Sequence, residues 1–253
     1  DDELGNLARV FNSLLDRLEQ SFAEQRRFMA DASHELRSPT AILRTEADVT
    51  LSRESRSEHE YRESMQIVQD AARRLSRVVD DLFLLARADS GHLAMEATSL
   101  YLDEIAVDTA RAVRPLAEAR QVKVRVSGKV DATLKGDPDL LGRLLLNLLD
   151  NAIRHSPRGG TVRVILSRQE ETGLVSVVDK GPGIPPEARA HVFNRFFRVD
   201  ASRSRGRGTL TSGAGLGLAI GRRIAEMHGG RLDLAESGPG RTELVLSLPL
   251  RGV

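Results

Sequence analysis

The sequence predicts a chain of two parts, an all-α helical hairpin followed by an α/β sandwich. Three observations lead to this fold class. Apolar residues recur in steps of four and three through residues 11–86, which is the spacing of helices that pack along a seam. Short segments of alternating polarity then follow, separated by apolar helical segments, as in a sheet covered by helices. With 253 residues, the chain is long enough for two separate cores.

The first part contains two amphipathic helices joined by a polar loop over residues 50–60. Each helix has one apolar stripe that a single hairpin buries poorly, so we expect dimerisation into a four-helix bundle. The second helix is predicted to end at Ser90-Gly91. The predicted seam consists of Phe11, Leu15, Leu18, Phe22, Gln25, Met29, Ala32, Leu36, Pro39 and Leu43 in the first helix and Tyr61, Met65, Val68, Ala72, Leu75, Val79, Leu82 and Ala86 in the second.

The second part alternates predicted helices and strands and ends in a strand pair. We expect a mixed sheet with helices on one face. Asp137 before Pro138 is a helix start, with a capping residue ahead of a first-turn proline. Helices are predicted at 100–121, 137–156 and 215–230, and strands at 122–128, 131–136, 161–168, 173–179, 231–237 and 241–250.

Composition excludes several classes of site. The chain has 37 Lys and Arg against 36 Asp and Glu, which gives no support to nonspecific nucleic-acid binding. It has no cysteine, and therefore no disulfide, thiolate metal site or cysteine nucleophile. No apolar run approaches the ~20 residues that cross a bilayer, and no signal peptide is visible. Because the sequence opens without Met, we interpret it as a fragment, with any membrane attachment in segments outside these residues.

His34 is the first candidate for chemistry. If Ala32 and Leu36 are seam positions, His34 lies on the outward face of its helix. A solvated surface histidine is the plain alternative. The neighbours favour a reactive one: Glu35 can orient or deprotonate the imidazole, and Pro39 removes a backbone hydrogen bond one turn later. An exposed neutral imidazole is a competent nucleophile at cellular pH.

Asn147 and Asn151 are four residues apart, so they project from one face of a leucine-rich helix. Two solvated asparagines would look the same. An amide carbonyl is a hard oxygen, which suits a Mg²⁺ ion that keeps most of its waters and takes phosphates as its remaining ligands.

Asp179 ends a predicted strand, and Gly181 and Gly183 then turn the chain sharply. A carboxylate in this position can accept a hydrogen bond from an exocyclic amine such as that of adenine. An ordinary turn containing aspartate is the alternative.

The glycines of GAGLGLAIG, residues 213–221, come just before a predicted helix, where backbone N–H groups favour phosphate. A dinucleotide fingerprint is excluded, because Leu218 stands in place of the third glycine and no strand precedes it. A Walker lysine and the Ser/Thr kinase signatures are also missing.

The segment before these glycines contains arginines that could screen a triphosphate or be solvated: Arg195, Arg198, Arg203, Arg205 and Arg207.

Together these segments resemble, in order and spacing, the cytoplasmic part of a bacterial sensor histidine kinase over essentially the whole chain. SHELRSP (33–39) resembles the phosphoacceptor box, and DELGNLARVFNSLLDRLE (2–19) is similar to the last helix of a HAMP module. The other boxes are NLLDNAIRHS (147–156, asparagine box), VVDKGPGIP (177–185, first glycine box), VFNRFFRVD (192–200, phenylalanine box) and GAGLGLAI (213–220, second glycine box).

The resemblance implies a dimeric helical-hairpin bundle followed by an α/β sandwich of the histidine kinase and gyrase-type ATPase class. Residues 1–20 would end a HAMP-like helix, 21–92 would form the dimerisation and histidine phosphotransfer domain, and 93–253 the ATP-binding catalytic domain. The implied function is a two-component sensor kinase that binds Mg-ATP, autophosphorylates His34 and passes the phosphoryl group to an aspartate of a response regulator. The chain would work as a homodimer, in the cytoplasmic portion of an inner-membrane receptor.

The resemblance also implies residue roles. Glu35 assists proton removal from His34, and Arg198 approaches the γ-phosphate. Ser38 stands where many relatives have threonine, so we expect weak phosphatase activity. The implied nucleotide residues are Asn151 for Mg²⁺, Asn147 and Arg154 near the phosphates, His155 beside the nucleotide, Asp179 for adenine, Gly181 and Gly183 for the shape of that pocket, and Gly213, Gly215 and Gly217 for the hinge of the ATP lid.

Two other readings compete with this one. A clamp-type ATPase of the same sandwich superfamily would place a hydrolytic carboxylate near Asp150, but it leaves SHELRSP unexplained. The third reading is a non-catalytic dimeric adaptor with a non-functional nucleotide pocket. The intact Asn151, Asp179 and glycines argue against such a pocket.

Overall fold

The computed structural model describes residues 3–52, 55–90, 93–199 and 214–250 of the chain. The chain divides into two compact units, Asp1–Leu82 and Phe83–Val253, which we call the first and the second unit and describe separately. The predicted succession of a helical hairpin and an α/β sandwich is confirmed.

Two long helices make up the first unit. Helix α1 comprises Glu3–Leu51, and helix α2 comprises Glu58–Asp89, whose residues up to Leu82 belong to this unit. The helix α1 continues through Pro39. The connection between the helices is shorter than the loop predicted over 50–60, because helical structure extends into both of its ends.

A reciprocal cap fixes the start of α2. The Glu60 N–H donates to the Ser57 hydroxyl at 3.3 Å, while the Ser57 N–H donates to the Glu60 carboxylate at 2.8 Å. This pairing satisfies two backbone donors that the first turn of a helix leaves without partners. Nearby, Arg56 Nη2 donates to the Val49 carbonyl at 2.6 Å and ties the connection back onto α1.

Small residues form the buried face inside the first unit. Ser64, Ala71 and Val78 are buried on α2 at intervals of seven residues, and Ala32 and Pro39 are buried on α1 with the same interval. Two members of the predicted seam, Ala32 and Pro39, lie inside the hairpin, and several of its large side chains are exposed in the single chain. These exposed members are Phe11, Leu15, Leu18, Phe22, Met29, Tyr61 and Met65.

The second unit begins with the end of α2 and then alternates strands and helices. Its strands are β1 (Thr98–Tyr101), β2 (Lys123–Gly128), β3 (Thr133–Gly136), β4 (Thr161–Gln169), β5 (Thr172–Asp179), β6 (Arg231–Gly238) and β7 (Arg241–Pro249). Its helices are α3 (Leu102–Ala112), α4 (Arg114–Ala119), α5 (Pro138–His155), α6 (Pro186–Arg189) and α7 (Gly217–Met227).

The main sheet of the second unit is mixed, as predicted. Its strand order is β2-β4-β5-β7-β6, with β2 parallel to β4 and every other pair antiparallel. β1 and β3 form a separate antiparallel pair. Helix α5 contacts α3, α7 and β5, and α7 contacts β6 and β7. Fully buried leucines and isoleucines of both helices, including Leu144, Leu148, Ile220 and Ile224, meet inward-facing residues of the sheet such as Leu246 and form the core.

The helix predicted over 100–121 is wrong in two places. Residues 98–101 form β1, because Leu100 pairs with Leu134 of β3. The rest divides into α3 and α4 at Val113, one residue before a helix that has Pro115 in its first turn. Proline cannot donate the hydrogen bond that a helix interior needs, so a new helix starts there. The short α6 was not predicted.

A buried histidine connects the start of α5 with the end of α7. The Asp137 carboxylate caps α5 by accepting from the Asp139 and Leu140 N–H groups, both at 3.1 Å. The Asp137 N–H donates to His228 Nε2 at 2.9 Å, so His228 Nδ1 carries the proton and donates to the Ile224 carbonyl at 2.8 Å. This chain of hydrogen bonds holds the two helices at a fixed spacing.

Candidate nucleotide and phosphoacceptor sites

His34 lies on the exposed side of α1, as its spacing from Ala32 predicts. Ser38 is exposed one turn later, and its hydroxyl donates to the His34 carbonyl at 3.4 Å. The imidazole is therefore accessible to a second molecule or domain. Whether it accepts a phosphoryl group stays a prediction.

Glu35 points toward the partner helix of the hairpin. Its Oε2 lies 3.4 Å from Arg74 Nη2 of α2, and both side chains are largely buried. The resemblance assigns Glu35 to proton removal from His34, and in the structure its carboxylate is engaged in this interhelical ion pair. A role as base requires that Glu35 share or leave Arg74.

The two asparagines of α5 have different surroundings. Asn147 Nδ2 donates to the carbonyl of Gly217, the first residue of α7, at 3.3 Å. Asn151 is half-buried, and among the described residues its amide has no hydrogen-bond partner. One uncommitted amide oxygen fits a Mg²⁺ ion whose other ligands are water and phosphate. On the same helix, between the two asparagines in sequence, Asp150 Oδ2 accepts from Arg154 Nε at 2.7 Å. This hydrogen bond anchors Arg154 along the helix.

Asp179 is buried at the end of β5, with 6% of its surface exposed. Its Oδ1 accepts the Gly181 N–H at 2.7 Å. Burial raises the pKa of the Asp179 carboxyl above its ordinary value, and the Gly181 hydrogen bond and nearby His155 offset this only in part. Among the described residues, Asp179 Oδ2 has no hydrogen-bond partner, so it can accept from a ligand that reaches the strand end.

Close backbone approaches require both glycines after Asp179. A Cβ on Gly181 would lie 2.7 Å from Asp179 Oδ1 and 2.9 Å from the His155 carbonyl oxygen. Gly183 has a positive φ of 80°, and a Cβ there would collide with the Gly238 carbonyl. The Gly240 N–H also donates to the Gly181 carbonyl at 2.9 Å. The turn is therefore locked against the connection between β6 and β7.

The second glycine motif meets the phenylalanine segment. Gly215 has a φ of 75°, and its carbonyl accepts the Phe196 N–H at 2.9 Å. A Cβ on Gly215 would lie 2.8 Å from the Phe196 carbonyl carbon, so the contact needs glycine. Arg198 is half-buried in the same segment. Gly213, Arg203, Arg205 and Arg207 lie outside the described residues.

The structure thus brings together three groups of predicted residues in the second unit. Asn147 meets Gly217, His155 meets the Asp179 turn, and Gly215 meets the segment that contains Arg198. His34, Glu35 and Ser38 lie together on α1 in the first unit.

Comparisons with known proteins match two segments of the chain to two protein families. The His Kinase A phospho-acceptor family matches residues 24–91. The family of histidine kinase-, DNA gyrase B- and HSP90-like ATPases matches residues 136–252. A solved structure of a mycobacterial sensor histidine kinase, MprB, is 33% identical, with a TM-score of 0.52, and the match covers 62% of this chain and 99% of that one. The chain belongs to the sensor histidine kinase family.

Curated relatives in this kinase family match nearly the full chain. The sensor protein IrlS of Burkholderia pseudomallei is 36% identical over 98% of this chain and 52% of its own length. The histidine kinase BaeS of Escherichia coli K12 is 35% identical over 99% of this chain and 52% of its own. The chain therefore spans about half the length of these relatives. A solved structure of the Acinetobacter baumannii kinase AdeS, 19% identical, has the same fold with a TM-score of 0.68 over 87% of this chain and 98% of that one.

Membership of the kinase family also bears on the alternatives. The phospho-acceptor match covers the segment that a clamp-type ATPase leaves unexplained, and it favours the kinase over the clamp. Within the described residues, no helix has the length and apolar character that crossing a membrane requires.

Sequence reasoning did not predict several long-range contacts near the candidate sites. Arg74 and Glu35 are 39 positions apart, and Asp89 and Arg195, which bond at 2.7 Å, are 106 apart. Neither pair has a local signal, because each exists only once the chain has folded. His228 could have been noticed as a histidine on an apolar helix, but its partner Asp137 is 91 positions away.

Proposed function

We propose that the chain catalyses ATP-dependent phosphorylation of its own His34 and passes the phosphoryl group to an aspartate of a response regulator receiver domain. The observation that carries this proposal is an exposed histidine on a hairpin helix in a chain that also holds a buried Asp179 and a half-buried Asn151, where Asp179 Oδ2 and the Asn151 amide have no hydrogen-bond partner among the described residues. Asp179 Oδ2 and the Asn151 amide can therefore each accept a contact from a ligand.

In the nucleotide site, Asp179 accepts a hydrogen bond from the exocyclic amine of adenine, and Gly181 and Gly183 shape the pocket. Asn151 contributes its amide oxygen to Mg²⁺, which when bound neutralises phosphate charge. Asn147 and Arg154 lie near the phosphates, His155 beside the nucleotide, Arg198 near the γ-phosphate, and Gly213, Gly215 and Gly217 form the lid hinge. Positioning and charge neutralisation are most of what phosphoryl transfer requires.

The transfer itself is a displacement at the γ-phosphorus. An imidazole nitrogen of His34 forms the new P–N bond, the bond to the β-phosphate oxygen breaks, and ADP leaves. Glu35 takes up the imidazole proton and releases part of its contact with Arg74. In the second transfer the P–N bond breaks and a receiver aspartate accepts the phosphoryl group as an acyl phosphate.

We further propose that the chain works as a homodimer. Large apolar side chains of both helices of the first unit, such as Met29, Tyr61 and Met65, are between 42% and 60% exposed in the single chain. A second copy that covers these side chains completes a four-helix bundle. The domains would be a HAMP-like end at 1–20, a phosphotransfer domain at 21–92 and a catalytic domain at 93–253, in the cytoplasmic portion of a bacterial inner-membrane receptor.

Ser38 supports a weak reverse reaction in this proposal. It lies one helical turn from His34 and carries a hydroxyl that can orient water against the acyl phosphate of a docked regulator. Serine lacks the β-branch that stiffens threonine, so the water is held less firmly. Purified phospho-regulator should lose phosphate slowly with the parent protein and ADP, faster with Ser38→Thr, and not at all with Ser38→Ala. A parent rate in Ser38→Ala contradicts this role.

The test of the main proposal is incubation with γ-labelled ATP and Mg²⁺, followed by treatment with acid or base. We expect label on the protein that is lost in acid and kept in base, the behaviour of a phosphoramidate. Label that resists acid indicates a phosphoester and overturns the proposal. Free phosphate without labelled protein favours the clamp-type ATPase.

A further inference from the structure

The last two turns of α2 are part of the second unit, and two arginines hold their end. Residues Phe83–Asp89 cluster with the second unit, and Leu85 and Ala88 are buried. Arg195 Nη2 donates to Asp89 Oδ1 at 2.7 Å, and Arg223 Nη2 donates to the Ala88 carbonyl at 2.6 Å. The helix end is therefore attached to the segment before the lid and to α7.

Helix chemistry explains why cations gather there. The last four carbonyls of an α-helix have no intrahelical partners, and the helix dipole places partial negative charge at that end. The Arg87 carbonyl obtains a partner close by in the chain, because it accepts the Leu93 N–H at 3.1 Å. The Ala88 carbonyl instead accepts from Arg223, 135 positions away. The Asp89 carboxylate adds a full negative charge at the same point, and Arg195 forms an ion pair with it.

The attachment continues into the nucleotide site. Arg195 immediately precedes Phe196, whose N–H donates to the Gly215 carbonyl at 2.9 Å. Two residues later, the Gly217 carbonyl accepts from Asn147 of α5. Each link is a hydrogen bond or a neighbouring peptide unit, so the end of α2 is connected to the helix that carries the phosphate-side asparagines.

We propose that Asp89 is a positioning residue of the nucleotide site. Through Arg195 it fixes the backbone of residues 194–199 before a nucleotide arrives, so that binding does not have to order this segment. Asp89 itself does not touch the nucleotide. The proposal rests on the proposed ATP site, and it adds the end of the hairpin helix to that site as a structural support.

Hydrogen exchange in the nucleotide-free protein tests the first step. Asp89→Asn removes the charge and keeps the shape, and backbone amides of residues 194–199 should then exchange about two- to fivefold faster, as expected for a partly exposed ion pair. The matched control is Asp108→Asn, which removes the same charge from an ion pair with Arg111 within α3. It should leave exchange in residues 194–199 unchanged. Parent exchange in Asp89→Asn overturns the proposal.

Nucleotide affinity and a charge swap test the second step. The Kd for Mg-ADP should rise by a similar factor in Asp89→Asn, and Asp89→Arg combined with Arg195→Asp should move both exchange and affinity back toward the parent. Faster exchange with unchanged ADP affinity overturns the positioning role, as does a swap no better than Asp89→Asn. If the parent binds no ADP, the proposed function fails. The exchange result still shows whether the contact between Asp89 and Arg195 orders residues 194–199.

Discussion

The two units differ in which apolar side chains they bury. The largest fully buried side chains of the described residues, such as Leu144, Leu148 and Ile224, all lie in the second unit. The first unit buries small residues such as Ala71 and Val78 and leaves large ones such as Met65 exposed. The second unit thus has a core of its own, whereas the first leaves large apolar side chains exposed in the single chain. In the proposed homodimer, the stability of the first unit should depend on protein concentration, and that of the second should not.

The core of the second unit gives the largest expected effect. Leu148 of α5 is fully buried, and Leu148→Ala should lower the free energy of unfolding by about 3–4 kcal/mol, because it leaves a cavity as well as losing apolar burial. The control is Leu146→Ala on the same helix, where the side chain is 42% exposed and the cost should be below about 1 kcal/mol. Denaturant titration measures both. Equal costs would contradict a core organised around this face of α5.

The uncovered face of the first unit gives the next effect. Met65→Asp places a charge where we expect a second copy to pack, and it should weaken the dimer by about 2 kcal/mol or more, roughly thirtyfold in dissociation constant. Gln66→Asp, on the neighbouring exposed position, should change little. Sedimentation or light scattering over a dilution series measures both. A parent protein that is monomeric at all concentrations would contradict this contrast between the units. A Met65→Asp variant that dimerises as tightly as the parent would contradict it as well.

The hydrogen bonds of His228 test how the second unit holds its helices. His228→Phe keeps an aromatic ring but cannot accept from the buried Asp137 N–H, so it should cost about 2 kcal/mol of stability. His191→Phe provides the exposed counterpart and should cost much less. Thermal unfolding compares the two. A neutral His228→Phe would show that packing alone sets the spacing of α5 and α7.

The smallest effect concerns Asp179 and pH. Burial raises the pKa of its carboxyl above the ordinary 3.8, so between these two values the folded state holds a proton that the unfolded state has lost. Stability of the parent should therefore fall as pH rises through this window. Asp179→Asn does not titrate and should be more stable at pH 7, by up to about 1 kcal/mol, while losing nucleotide affinity. Parallel stability curves for the two proteins from pH 4 to 7 would contradict this.

The features that sequence reasoning predicts are those with a local cause. The bounds of α5 follow from Asp137, Pro138 and a long apolar helix, and the turn after Asp179 follows from its glycines. β1 was missed because four residues become a strand only by pairing with β3. The face that packs inside the hairpin, which includes Ala71, was not separated from the predicted seam, which includes Ala72, because both have the same heptad periodicity. Only packing distinguishes them.

His34 is the proposed phosphoacceptor of the first unit, and one measurement tests this role most directly. Label from γ-labelled ATP should appear on the parent protein and on His59→Gln, which removes another exposed histidine, from α2 of the same unit. His34→Gln should carry no label, while its affinity for Mg-ATP and its dimerisation stay unchanged, because the imidazole is exposed and forms no hydrogen bond or ion pair with the described residues. Label retained in His34→Gln, or lost in His59→Gln, would contradict the account.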